Sequence, residues 1–243
     1  MIKLYKYCWI INIMKKEVVV ISLGGSQIIH DNKINVKFLL DFKKVLKKHS
    51  EKYKFVVVCG GGSIARMYIE GLQKINSNEK LQSFAGISIT RANARFMNYF
   101  FSIDPDRGIP HRIREVRKQL IRNDIIFCGA LEYHPNQTSD STAAQIASYF
   151  KSEFINITNI DGLYDNNPLT NKNAKFIPFI TWKDFNKIAS KIKFKPGQHF
   201  VLDQKAAKII MENKTKTYII GQKIKNLELI LQNKKFRGTL IFG

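Results

Sequence analysis

The chain has 243 residues, 44% of them hydrophobic, which is enough to bury a core in one large α/β domain or in two lobes. Its 40 Lys and Arg against 19 Asp and Glu give a formal net charge of +21, which favours an anionic ligand. Because the lysines are scattered among Asn and Ile rather than gathered into one basic block, nucleic-acid binding is the less favoured explanation of this charge.

The patterns of cysteine, histidine and hydropathy exclude several further classes of protein. The 3 cysteines form no CxxC pair and the 5 histidines are isolated, so the sequence indicates neither a disulfide framework nor a zinc site. We predict a reducing, cytoplasmic setting and no metal held by protein side chains. The apolar run 8–13 is too short to span a membrane, so no membrane association is expected. Residues 1–16 are expected to form an N-terminal extension ahead of the first strand.

The first predicted elements are two buried strands, each followed by glycines. Residues 18–23 lead into Gly24-Gly25-Ser26, and residues 55–59 lead into Gly60-Gly61-Gly62, with an amphipathic helix predicted between them over 36–48. Glycine backbone can approach a phosphate closely, and the second glycine run opens a helix whose N-terminus attracts anions. Arg66 lies one turn into that helix and can bond phosphoryl oxygens. The pattern therefore predicts a phosphate site.

Other interpretations of the glycines remain open. The pair at 24–25 also fits a plain turn. The spacing over 60–65 fits G-x-G-x-x-A, but a dinucleotide fold needs a second strand that ends in an acid about twenty residues later. The chain instead has a polar stretch at 76–82, and no Gly-Lys-Ser/Thr follows the glycines as in a P-loop. Dinucleotide binding is therefore ranked low.

The middle of the chain predicts a helix, a strand and a polar loop. The stretch 83–94 leads into a helix that continues through Phe101, and residues 125–128 form a short strand. The loop that follows ends in Thr138-Ser139-Asp140, where Ser139 is predicted to cap the next helix. Asp140 falls in the first turn of that helix, where a carboxylate is commonly structural, and we expect it to orient the neighbouring hydroxyls.

Residues 154–168 contain a third strand and a turn. The apolar run 154–157 is followed by Thr158-Asn159, by the turn pair Asp161-Gly162 and by Tyr164. Side-chain oxygens and an aromatic face at a strand end suit a nucleotide, although the segment alone also fits an ordinary strand and hairpin turn.

The last part of the chain alternates helices and strands. Helices are predicted over 182–188, 204–212 and 224–231, and strands over 217–220 and 238–241. Strands that alternate with helices predict an α/β fold.

Taken together, and in this order from Val18 to Ile241, the motifs resemble those of the amino acid kinase family, most closely its archaeal-type uridylate kinases. The matching segments include Gly-Ile-x-x-Thr-Arg-Ala-Asn-Ala at 86–94 and Gly-Thr-x-Ile at 238–241. The resemblance implies a three-layer αβα sandwich with a mostly parallel central sheet. It also implies that residues 17–123 form the acceptor (UMP) half and residues 124–243 the ATP half of one kinase domain.

The resemblance implies a role for each matching residue. The residues implied to bind ATP are Gly24, Gly25, Ser26, Gly62, Arg66, Thr158, Asn159, Tyr164 and Asn167. The residues implied to bind the acceptor nucleotide are Gly61, Ser83, Tyr133, His134, Pro135, Asn136, Gln137, Thr138 and Ser139. The residues implied to act in catalysis are Arg66, Lys208 and Asp140.

The reaction implied is ATP + UMP giving ADP + UDP, a step of pyrimidine nucleotide biosynthesis. Mg²⁺ is expected to arrive with ATP and to be held mostly by phosphates and water. The expected partners are small nucleotides and further copies of the chain, since relatives form homohexamers.

Three positions depart from the family pattern. Ser22 stands where many members have Lys, Ser83 where the usual residue is Asp, and Asn167 where Asp is frequent. Two alternatives therefore stay open beside nucleic-acid binding. One is a sibling kinase of another small phosphate, such as isopentenyl phosphate, and the other is a nucleotide-binding protein with weakened catalysis.

Overall fold

The computed structural model describes residues 16–135, 137–166, 168, 170–191 and 201–243. The site predictions for Asn136 and Asn167, and nearly all of the expected extension at 1–16, lie outside these residues.

The described chain has strands and helices close to the predicted positions, together with further strands and helices that the sequence did not predict. The strands are β1 (Glu17–Leu23), β2 (Ile29–His30), β3 (Lys33–Ile34), β4 (Tyr53–Cys59), β5 (Ile125–Cys128), β6 (Glu153–Ile157), β7 (Leu163–Tyr164), β8 (Phe176–Ile177), β9 (Phe179–Ile180), β10 (Thr217–Ile220) and β11 (Thr239–Ile241). The helices are α1 (Gly25–Ile28), α2 (Val36–His49), α3 (Gly62–Lys74), α4 (Glu79–Phe100), α5 (Ile113–Arg122), α6 (Ser139–Phe150), α7 (Trp182–Ala189), α8 (Gln204–Glu212) and α9 (Lys225–Leu231), with a 3₁₀ turn at Pro105–Arg107.

The central sheet has the strand order β5-β4-β1-β6-β10-β11-β9 within the described residues. The first five strands of this order are mutually parallel, β11 runs antiparallel to β10, and β9 is parallel to β11. The chain moves from β1 to β4 on one side and later returns to β6 on the other side of β1. In open α/β sheets, such a reversal leaves a crevice at the carboxyl ends of the strands.

The sheet is covered on both faces, which makes the molecule three-layered. Along β1, Val19 and Ile21 belong to one apolar cluster and Val20 to the other. A strand that is buried on both faces has a nearly continuous apolar sequence, which is why β1 and β4 do not alternate between apolar and polar residues. Helix α2 is amphipathic, as predicted, and its buried side chains are Phe38, Leu39, Phe42, Val45 and Leu46. The predicted fold class is confirmed.

Two local predictions about helix starts were wrong. Helix α4 begins at Glu79 and already contains the stretch 83–94 that was expected to lead into it, because the side chain of Asn78 accepts a hydrogen bond from Leu81 N (3.0 Å) and caps the helix earlier. Helix α6 is capped by Thr138 rather than Ser139, since the Thr138 hydroxyl accepts from Asp140 N (3.1 Å).

Among the described residues, no helix is both long and apolar enough to cross a membrane.

Candidate active site

The two glycine runs lie against each other at the carboxyl ends of β1 and β4. Gly24 N donates to Ile157 O (3.0 Å) and Gly60 N donates to Leu23 O (2.8 Å), so both runs are fixed to strand ends. A Cβ added to Gly25 would lie 2.1 Å from Gly62 N, and Gly62 itself has a φ of +64°. Only glycine allows this backbone-to-backbone contact.

Beside this contact lies the start of α3. Its N-cap is Gly61, which has no side chain to satisfy the first amides of the helix. These amides and the helix dipole make the start of α3 attractive to an anion. Arg66 lies one turn further along and lines the same cleft. Across the described part of the chain, no carboxylate lies within salt-bridge distance of its guanidinium, which is left able to bind a ligand.

The cleft at this edge has a volume of about 280 Å³. Its lining includes residues from both predicted halves of the chain. The predicted site residues that line it are Gly24, Gly25, Ser26, Gly61, Gly62, Arg66, Ser83, Gln137, Thr138, Ser139, Asp140, Thr158 and Asn159. The fold therefore brings most of the predicted site residues into one cleft.

Helix α4 braces the second glycine run and the loop after β5. Asn93 Nδ2 donates to Gly60 O (2.7 Å), and Thr90 Oγ1 accepts from Ala130 N (2.9 Å). Arg91 donates through Nε to Ala130 O (3.2 Å). The Thr-Arg-x-Asn segment at 90–93 is part of the motif at 86–94 that resembles the family. In the structure, this segment holds two loops of the cleft in place.

Asp140 lies on the wall of the cleft and contacts the end of β1. Ser22, which is 1% exposed, donates through Oγ to Asp140 Oδ1 (2.6 Å). Burial raises the pKa of Asp140 to about 7, the Ser22 hydrogen bond opposes this rise, and the nearby Asp203 carboxylate adds to it. At or below neutral pH, much of the Asp140 carboxyl is therefore uncharged.

Asp203 is a cleft residue that the sequence reasoning missed. Its carboxylate accepts from the Thr138 hydroxyl, from Ser141 N (3.1 Å) and from Ala206 N (2.9 Å). It therefore caps α8 and also holds the start of α6. Burial raises the pKa of Asp203, although these hydrogen bonds act against the rise. Its position just before α8 signals an N-cap, but nothing in the sequence indicates contact with Thr138.

Several predicted site residues lie away from this cleft. Lys208 is on α8 with a side chain that is 67% exposed, and its Nζ lies 3.8 Å from Glu212 Oε1. The ring of Tyr164 packs edge-on against Phe176 (5.3 Å between centroids), and the ring of Tyr133 stacks on Phe84 (5.2 Å). The exposed residues His134 and Pro135 are not among those lining the cleft.

The chain is similar to the same group of known proteins in sequence and in structure. The family model described as "Amino acid kinase family" matches residues 17–221. The uridylate kinases of Thermococcus sibiricus and Thermococcus onnurineus are 33% and 35% identical to the chain, and in each case the match covers 92% of this chain and 98% of the relative. The crystal structure of uridylate kinase from Archaeoglobus fulgidus aligns with a TM-score of 0.77 at 30% identity, covering 92% of this chain and 99% of that one. The UMP kinase structure from Bacillus anthracis, at 17% identity and a TM-score of 0.76, supports the fold alone.

Proposed function

Because the chain belongs to the amino acid kinase family, we propose that it transfers the γ-phosphoryl group of ATP to UMP and releases ADP and UDP. In this proposal the reaction is a step of pyrimidine nucleotide biosynthesis. The uridylate kinases that align with the chain over nearly their full length support UMP as the acceptor.

The observation that carries the proposal is the contact between the two glycine runs beside the Arg66 guanidinium, which pairs with no carboxylate among the described residues. Phosphoryl transfer needs little covalent help and depends on alignment and on neutralisation of spreading negative charge. Gly24, Gly25 and Ser26 would hold phosphates of ATP, and the start of α3 would hold phosphates from the other side of the contact. Arg66 would stabilise the charge that develops between donor and acceptor.

The acceptor needs no general base, because a phosphate is already ionised at neutral pH. We assign Asp140 an orienting role through its hydrogen bond with Ser22. Its raised pKa also reduces the negative charge that the cleft presents to the phosphates of ATP and UMP. Lys208 is left out of the proposed site, since its ammonium pairs with Glu212 on an exposed face.

Mg²⁺ would enter with ATP and supply charge neutralisation on the phosphates. The two cleft carboxyls already accept hydrogen bonds from Ser22, Thr138 and backbone amides. We therefore propose that phosphate oxygens and water hold most of the ion's coordination sphere.

Three further parts of the proposal rest on the resemblance to the family. They are a homohexameric assembly, a cytoplasmic location, and the division into an acceptor half at 17–123 and an ATP half at 124–243. Light scattering on purified protein tests the first: a mass near six times 28.1 kDa is expected, and a monomer would contradict it.

A coupled ADP-release assay across the nucleoside monophosphates and isopentenyl phosphate tests the acceptor. UMP is expected to give the highest kcat/KM, and a higher value for isopentenyl phosphate would identify a sibling kinase instead.

A second candidate function is nucleotide binding without efficient catalysis. It is favoured by Ser22, whose buried hydroxyl takes the place of an ammonium that many family members carry. Thermal stabilisation by ATP and UMP together, without ADP release, would support it.

A further inference from the structure

A buried glutamine lies directly beneath the first glycine run. Gln27 is 0% exposed and belongs to α1, which packs against α2, α3 and α4. Its Nε2 donates to Ser26 Oγ (3.3 Å). Its Oε1 is buried and has no hydrogen-bond partner within the described residues.

This arrangement leaves the Ser26 proton available for another acceptor. A hydroxyl has one donor and two acceptor sites, and the Gln27 amide uses an acceptor site. Ser26 lines the cleft, so its hydroxyl proton remains able to bond a ligand oxygen there.

Stability alone does not explain a glutamine at this position. A buried amide oxygen without a partner is unfavourable, and an apolar side chain of similar length would avoid that cost. The neighbouring Ile28 is also fully buried, so the surroundings accept apolar groups. A polar group that remains unsatisfied in a core calls for an explanation, and a role in a functional site is one such explanation.

We infer that Gln27 is a positioning residue, which holds Ser26 Oγ so that its proton points at a phosphate of ATP. This inference rests on the proposed function only in taking ATP as the ligand beside Ser26.

The test compares Gln27→Met, Ser26→Ala and the double variant. Affinity for a non-hydrolysable ATP analogue with Mg²⁺ is measured by calorimetry without any acceptor, and melting temperature is measured on the same samples. We expect Gln27→Met to weaken analogue binding three- to tenfold and Ser26→Ala to weaken it at least as much, while the double variant matches Ser26→Ala alone. The melting temperature of Gln27→Met should equal or exceed that of the unmodified chain, and Gln27→Leu should repeat the result.

Gln82 provides a matched control. It is also a buried glutamine (7% exposed), but it donates to Ser77 O (2.8 Å) and accepts from Gln73 Nε2 (3.2 Å) on another part of the fold. Gln82→Met is expected to lower the melting temperature without changing analogue affinity.

Analogue affinity unchanged in Gln27→Met, or weakened additively with Ser26→Ala, would overturn the inference. A lowered melting temperature with unchanged affinity would show that Gln27 is only structural. UMP turnover by the unmodified chain is measured separately. If the chain binds the analogue but does not phosphorylate UMP, the acceptor assignment fails while the Gln27 test still stands. If it does not bind the analogue, both proposals fail.

Discussion

The contact between the glycine runs makes Gly25→Ala the most informative substitution. The backbone of Gly25 does not have a positive φ, so alanine is conformationally allowed there and only the contact opposes it. The new Cβ would lie 2.1 Å from Gly62 N, and Cβ atoms essentially never approach other atoms closer than 3.0 Å. The two runs must therefore separate by about 0.9 Å, and backbone cannot yield as the end of a flexible side chain would.

A displacement of this size should affect turnover more than stability. Misplacing reacting groups by about 1 Å can cost about a hundredfold in rate. Overpacking a site in a folded protein typically costs about 1–3 kcal/mol of the free energy of unfolding. We therefore expect Gly25→Ala to remain folded, with a lowered melting temperature and a kcat reduced about a hundredfold in the ADP-release assay.

Gly71→Ala is the matched control for Gly25→Ala. Gly71 lies inside α3, where an added Cβ would meet nothing within 4 Å. Alanine should stabilise that helix by roughly 0.5–1 kcal/mol and leave kcat unchanged. If Gly25→Ala turned over within threefold of the unmodified chain, close approach of the glycine runs would not be a requirement of catalysis, and the reasoning would be refuted.

Four further predictions concern three residues of the cleft and Lys208, which lies outside it. Arg66→Ala should lower kcat by at least a hundredfold with an unchanged melting temperature, because the cleft loses a guanidinium that can bind phosphoryl oxygens; near-normal turnover would remove Arg66 from the mechanism. Lys208→Ala should change kcat less than about twofold, since a surface pair contributes about 1 kcal/mol or less; a large loss would return Lys208 to the catalytic set. Ser83→Asp should lower the KM for UMP about tenfold if a carboxylate there accepts from the ribose, through a charge-assisted hydrogen bond, while the KM for ATP stays constant. The pKa of the Asp140 carboxyl is raised from 3.8 to about 7, so the folded chain binds the carboxyl proton more tightly than the unfolded chain does. The contribution of Asp140 to the free energy of unfolding therefore declines as the pH rises from about 4 to about 7, by up to about 1.4 kcal/mol per pH unit. Asp140→Asn should remove that contribution in urea unfolding at pH 5, 6 and 7, and an unchanged slope would show that the carboxyl is not perturbed.

The periodicity of α8 explains why Lys208 lies outside the cleft. Its buried residues are Ala206, Ala207 and Ile210, which form one face of the helix. A residue immediately after Ala207 is rotated about 100° from it, so Lys208 turns outward. The resemblance to the family suggested a catalytic role, whereas the helical phase, also readable from the sequence, places this side chain on the exposed face.

Local pattern in the chain by itself determined most strands of the central sheet, most of the helices, the two glycine runs and the position of Arg66 one turn into α3. These features depend on propensity, on apolar periodicity and on the freedom of glycine, all of which act between near neighbours. Only the tertiary structure decided that Gly25 contacts Gly62, that Asn93 supports Gly60, and that Asp203 bonds Thr138. These pairs are distant in sequence, and they meet because packed helices and parallel strands bring separate segments to one edge of the sheet.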